Sequence, residues 1–201
     1  MHVQGGDRAR LHQAYRRRTS DFLAAAARRD QTAGAHSERV TRYALAIGKV
    51  IGLSPDELTD LKYAAALHDV GKIAVSRRLL NRLGKLTNED LEVMKRHSEL
   101  SMRVLERIEG LRLAAVLVKY HHERYDGKGC PAGLCGIEIP LGSRIIAVAE
   151  AFDILTSDVP WRPAMDQQSA LAELQRCAGT QFDPEVVEAL FIATANGYVE
   201  R

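Results

Sequence analysis

Apolar side chains recur with a 3.6-residue period along nearly all of this chain, and no segment sustains the period-two alternation of a half-buried strand. A chain patterned this way buries its apolar faces by packing helix on helix. The expected fold is therefore all-α, a compact irregular helical bundle. Val40, Tyr43, Ala44, Ile47 and Val50 mark one face of a helix over 36–51, and Gly52 ends it. Ser54 as N-cap, Pro55 at N1 and Glu57 at N3 start the next helix, over 56–68, whose stretch 64–67 is apolar all round. Thr87 caps a helix over 88–97, with Asp90 in its first turn complementing the helix dipole. Further helices are predicted over 98–108, 111–122, about 141–156, 166–178 and 184–197. Between 123 and 140, Gly127, Gly129, Pro131, Gly133, Gly136 and Pro140 break the pattern into a loop with sharp turns.

The length of 201 residues suits one domain, over 30–201, preceded by a Leu/Ala/Arg-rich helix within 1–29 that acts as an extension, a linker or a homodimer element. The 28 basic and 26 acidic residues leave a net charge of +2. That balance is wrong for a protein that coats nucleic acid, so no DNA partner is expected. No 18-residue apolar run is present to span a membrane, and the Arg-rich N-terminus does not read as a secretory signal. Three cysteines, Cys130, Cys135 and Cys177, cannot all pair, and none of their spacings is CxxC. The expected compartment is the reducing cytoplasm.

Chemistry concentrates in histidines and carboxylates. Of seven histidines, His2 and His12 lie in the polar N-terminal stretch. His36, His68, His97, His121 and His122 each sit at or near a predicted helix end. His68-Asp69 closes an otherwise apolar helix, His121-His122-Glu123 closes another, and Asp153 lies within the very apolar run 145–155. Taken singly, a buried histidine is more often a hydrogen-bonded core residue, and a helical aspartate more often a cap or an ion-pair partner. Taken together, burying His68-Asp69 and Asp153 among aliphatics without compensation costs several kcal/mol. A divalent cation supplies that compensation, and His with Asp is the ligand chemistry of Mn, Fe and Zn. The cysteines do not spell a structural zinc finger.

The run His68-Asp69-Val70-Gly71-Lys72-Ile73 resembles the core of the HD metal-dependent phosphohydrolases. The run His121-His122-Glu123-Arg124-Tyr125-Asp126-Gly127-Lys128-Gly129-Cys130-Pro131 resembles the second signature of their HD-GYP subfamily. Flanking motifs agree in kind and order: His36-Ser37-Glu38-Arg39-Val40, then Gly84-Lys85-Leu86-Thr87 leading to Met94-Lys95-Arg96-His97. Phe152-Asp153-Ile154-Leu155-Thr156-Ser157-Asp158 and Gly179-Thr180-Gln181-Phe182-Asp183-Pro184 follow. The resemblance covers roughly residues 30–195.

The resemblance implies an HD-type helical domain that hydrolyses the bacterial second messenger cyclic di-GMP to pGpG, GMP or both, through a metal-bridged hydroxide. It implies two divalent transition-metal ions, iron or manganese. One would take His36, His68, Asp69 and Asp153, the other Asp69, His97, His121 and His122, with Asp69 bridging. Two such cations about 3.5–4 Å apart can lower the pKa of a shared water enough to give hydroxide near neutral pH. Lys72 resembles a phosphate-contacting lysine, against the alternative of a solvated helix-terminal lysine. Asp126 and Arg162 are the other expected substrate contacts, Arg162 weighed evenly against a plain surface arginine.

Three positions depart from the family pattern. Cys130 stands where the name-giving triplet has tyrosine, while Gly129 and Pro131 keep the turn; a small thiol filling the tyrosine's place is expected. Thr32 stands where trinuclear members carry a glutamate four residues before the first metal histidine, and Gln31 and Ala33 offer no carboxylate, so a binuclear site is expected. Glu150 replaces an aspartate one turn before Asp153, on the same face, where it could orient a ligand imidazole. An adaptor that binds metal and docks a partner such as a diguanylate cyclase is the alternative to an enzyme, and Cys130 favours it. A general HD phosphohydrolase acting on other nucleotides is disfavoured by the His121-His122 run.

Overall fold

The computed structural model describes residues 33–76, 79, 87, 89–90, 93, 96–158 and 162–199. Residues 1–29, expected as a helical extension or linker, lie outside them, as do Thr32 and most of the run 84–95. The described residues form helices α1 (Ala33–Ile51), α2 (Pro55–Leu67), α3 (His97–Leu105), α4 (Arg112–Lys119), α5 (Leu141–Thr156), α6 (Gln167–Arg176) and α7 (Pro184–Ala195). Short 3₁₀ turns occupy Val70–Ala74 and Gly136–Glu138. Two isolated bridges of strand type pair Asp126 with Cys135 and Ala178 with Phe182. The all-α expectation holds.

Local signals start the helices where the sequence predicts. Ser54 Oγ accepts from the Glu57 N–H at 3.3 Å while Glu57 accepts from the Ser54 N–H at 2.8 Å, a reciprocal cap with Pro55 behind it. Thr87 and Asp90 make the same exchange, at 3.2 and 2.9 Å. Helix α4 ends at Lys119, short of the predicted 122, because the chain turns over Tyr120, whose carbonyl accepts from Glu123 at 3.0 Å. His121 and His122 therefore sit in a turn beyond the helix. His97 opens α3 rather than closing the preceding segment.

Helix α1 packs on α2, α5 and α7, and α2 also meets α4 and α5. Ile47, Leu61, Leu67, Ile145, Ile146 and Leu190 are fully buried between them. Each such side chain contributes about 1.5–3 kcal/mol relative to exposure. Tyr43 of α1 meets Phe152 of α5 edge to face, with centroids 5.2 Å apart. Among the described residues no helix is long and apolar enough to cross a membrane.

One close approach sets the position of the turn after α2. The Gly71 N–H donates to Ser101 Oγ at 2.7 Å, and Ser101 Oγ donates to the His68 carbonyl at 2.9 Å, tying the turn to α3. A Cβ at Gly71 would stand 2.2 Å from the His97 carbonyl and 2.6 Å from the Ser101 nitrogen, both backbone atoms that cannot swing away. Gly71→Ala should therefore destabilise the fold by about 1–3 kcal/mol. The midpoint of a thermal melt should fall by roughly 2–4 °C per kcal/mol. An unchanged midpoint would show that α3 and the turn are not locked together.

Candidate metal and active site

Two helix ends present imidazoles to one interior space. His68 follows the last residue of α2, and its Nδ1 donates to the Ala65 carbonyl at 2.8 Å. His121 follows α4, and its Nδ1 donates to the Val118 carbonyl at 2.6 Å. A nitrogen facing a carbonyl oxygen must carry the proton, so both rings hold their Nε2 as a bare lone pair. Neither Nε2 has a hydrogen-bond partner, although both are buried. Burial pushes the pKa of each ring down, that of His121 well down, and so keeps both neutral.

Asp69 lies between the histidines. Its Oδ2 is 3.5 Å from His68 Nε2 and 4.0 Å from His36 Nε2, and it accepts from Lys72 Nζ at 2.6 Å. Its Oδ1 is 3.2 Å from His97 Nε2. Burial works against ionisation here, but the Lys72 ammonium outweighs it and holds the carboxyl well below the usual range. His97 Nε2 and His122 Nε2 face each other at 3.1 Å.

Two groups of donor atoms result. His97, His121 and His122 offer atoms within 4.8 Å of one another, and so do His36, His68 and Glu150. Asp69 turns one oxygen toward each group. The donor set suits a divalent first-row metal. It also explains the partnerless nitrogens, since an unsatisfied buried acceptor costs about 1–3 kcal/mol. Imidazoles whose far nitrogen is hydrogen-bonded to carbonyl or carboxylate are the usual posture of metal-binding histidine. The residues present therefore fit a pair of metal ions.

Asp153, expected as a ligand, accepts from His36 Nδ1 at 2.7 Å and takes a two-pronged ion pair from Arg39, at 2.5 Å from Nε and 3.0 Å from Nη2. Glu150, expected as the orienting residue, lies with His36 and His68 instead. Arg39 went unassigned in the sequence, although its place three residues after His36 puts both on one helix face.

Of the expected substrate contacts, Lys72 is at the cluster, partly exposed and paired with Asp69. Asp126 is held by Arg124, at 3.0 Å from Nε and 2.9 Å from Nη2, and that pair draws its pKa down to about 2. The Arg162 guanidinium donates to the Leu155, Pro163 and Ile154 carbonyls at 3.1, 2.9 and 2.6 Å, closing the end of α5. Cys130 is half-buried, and its N–H donates to the His122 carbonyl at 3.2 Å. Glu123 Oε1 accepts from Ala132 and Gly133 at 2.6 and 3.1 Å, folding the glycine-rich loop back on the histidine pair.

A family model described as HD domain matches residues 22–186. A cyclic di-GMP phosphodiesterase response regulator, RpfG, of Xanthomonas campestris pv. campestris is 42% identical over 164 residues, covering 81% of this chain and 43% of that protein. A cyclic di-GMP phosphodiesterase of Thermotoga maritima is 39% identical over 163 residues, covering 80% of this chain and 44% of that protein. This chain thus spans less than half the length of these curated relatives. Among solved structures, a cyclic GMP-AMP-specific phosphodiesterase of Vibrio cholerae, V-cGAP3, superposes with a TM-score of 0.66 at 22% identity, over 80% of this chain and 44% of that one. That likeness is one of fold.

The two buried neutral rings set a pH dependence. Both have folded pKa values below the unfolded value of 6.5, so the unfolded chain binds more protons as pH falls. The contribution of these two rings to the stability of the metal-stripped protein should then be fully present above pH 6.5 and be lost as pH falls below it. A loss of stability is therefore expected between pH 6.5 and 5.5. Urea melts of chelator-treated protein across that range check this, and stability that rises on acidification would contradict the assigned tautomers.

Proposed function

Since the chain belongs to the HD domain family and brings its HD-GYP-like motifs to one cluster, we propose that it is a metal-dependent phosphodiesterase that hydrolyses cyclic di-GMP to pGpG, GMP or both. The observation that carries this is the pair of buried Nε2 atoms on His68 and His121 with no hydrogen-bond partner, beside Asp69 in one cluster of donors. His36, His68, Asp69 and Glu150 would hold one divalent ion, and Asp69, His97, His121 and His122 the other, as iron or manganese. Bound there, the ions would supply Lewis acidity and water of lowered pKa.

The chain's own residues set the geometry. The Ala65 and Val118 carbonyls fix the tautomers of His68 and His121. Arg39 clamps Asp153, and Asp153 orients His36 through Nδ1. Lys72, partly exposed beside Asp69, offers its ammonium to the phosphate. The same reading includes a cytoplasmic location and residues 1–29 as a linker or homodimer element. An adaptor that docks a diguanylate cyclase or other signalling protein is the second reading, and Cys130 in the triplet favours it.

Protein prepared without oxygen should carry about two transition-metal ions per chain and convert cyclic di-GMP. Asp69→Ala should lose both metal and turnover, because Asp69 faces both groups. Lys72→Ala should keep its metal and lose on the order of 100-fold in rate. Elemental analysis beside product chromatography measures all three proteins. Metal loss in Lys72→Ala with retention in Asp69→Ala would reverse the roles.

Cys130→Tyr should leave metal content unchanged, because the Cys130 N–H and Glu123 anchor the loop through groups that the substitution leaves in place. Turnover should change less than about tenfold. A metal-loaded but inert natural protein that Cys130→Tyr activates would favour the adaptor.

A further inference from the structure

A cavity of about 190 Å³ opens beside the histidines, between α5 and the loops that hold Arg124 and Gln181. It is smaller than the roughly 300–1,000 Å³ that take a whole drug-sized ligand, so it suits a fragment of one. One wall is a single stripe of α5, Ala147, Glu150, Ala151 and Ile154, at the i, i+3, i+4, i+7 spacing of one helix face. The alanines leave the space, and Ile154, although apolar, is 45% exposed along it. Phe182 and Gln181 form the opposite side, and His122 and Glu150 join the cavity to the metal-type cluster. The loops that hold Arg124 and Gln181 are tied together: the Tyr125 and Asp126 N–H groups donate to the Gln181 and Thr180 carbonyls at 3.2 and 2.8 Å. Apolar side walls with polar groups at the rim are what a flat heteroaromatic ring requires.

Arg124 decides which ring. Its Nε and Nη2 are spent on Asp126, which fixes the guanidinium plane. The remaining N–H groups are donors only, so the ring edge that suits them is one made of acceptors. Guanine presents such an edge in O6 and N7, whereas adenine places an N6 amino donor there. We infer that this slot receives one guanine base of the dinucleotide, with Arg124 reading its acceptor edge while an adjoining phosphate lies at the histidine cluster. Asp126 is then a positioning residue, acting through Arg124. The inference rests on the phosphodiesterase reading for the identity of the dinucleotide and on the cavity for the base.

Two variants test it, each with metal content confirmed. Arg124→Gln removes the fixed donors, and Ala151→Leu fills the slot. Turnover of cyclic di-GMP and cyclic di-AMP is compared, together with equilibrium binding of GMP and AMP, which share a phosphate and differ in the base. The natural protein should prefer the guanine compounds by about 10–100-fold, and Arg124→Gln should erase most of that preference. A purely structural role for Arg124 would lower both dinucleotides alike and leave the ratio unchanged. Ala151→Leu should weaken GMP binding at least about tenfold. Turnover of cyclic di-GMP with the ratio and GMP affinity unmoved in both variants overturns the slot and leaves the enzyme. Guanine-selective binding that both variants abolish, with no turnover, supports the slot and overturns the enzyme. Neither binding nor turnover overturns both.

Discussion

A buried imidazole nitrogen with no hydrogen-bond partner is expensive, and this protein buries two within one space. Both are held by the same local device. Helices α2 and α4 each end so that a carbonyl of the last turn, Ala65 or Val118, accepts from the Nδ1 of the histidine three residues on. Carbonyls at a helix C-terminus lack intrahelical partners, so the ring satisfies the backbone while the backbone sets the ring's tautomer. The rest of the site follows from where those helices stop. Asp69 comes one residue after the first, His122 one residue after the second, and the 3₁₀ turn at Val70–Ala74 is pressed against α3 because Gly71 has no side chain.

The carboxylates are sorted by the cations beside them. Asp69 has Lys72, Asp153 has Arg39, Asp126 has Arg124 and Asp183 has Arg144. Among the described residues Glu150 has no lysine or arginine partner and faces imidazoles instead. A carboxylate already bound by two guanidinium nitrogens is a poorer donor to a metal than one facing neutral rings. On this ground the proposed carboxylate ligand beside His36 and His68 is Glu150, with Asp153 proposed to orient His36 from behind.

Much of this is legible in the sequence, and what is not legible shares a cause. Helix α5 was bounded correctly because its run is apolar and uninterrupted after Pro140. The cap at Ser54 was read in full. Helix α4 was drawn too long, because Tyr120-His121-His122 continues the periodicity and only the tertiary placement of the rings shows that the chain has turned. Glu150 and Asp153 share a helix face, so periodicity cannot rank them. What ranks them is Arg39, which is far away in sequence and adjacent in space. Arg162 and Asp126 lie in the expected motifs, but their hydrogen bonds go to the α5 carbonyls and to Arg124, which spacing alone does not reveal.

Helix α5 carries two obligations on opposite faces. Ile145, Ile146, Ala149 and Phe152 face the core and are almost wholly buried. Ala147, Glu150, Ala151 and Ile154 face the cavity. The first set tolerates apolar exchange at conserved volume, whereas the second works by being small and by carrying one carboxylate. The helix cannot rotate to relieve a change on one face without moving the other. A bulky residue at 151 is therefore felt in the cavity rather than absorbed by the bundle, and the close-packed core holds Glu150 at a fixed height beside His68. Rigid packing on one side of α5 sets the geometry of the chemistry on the other.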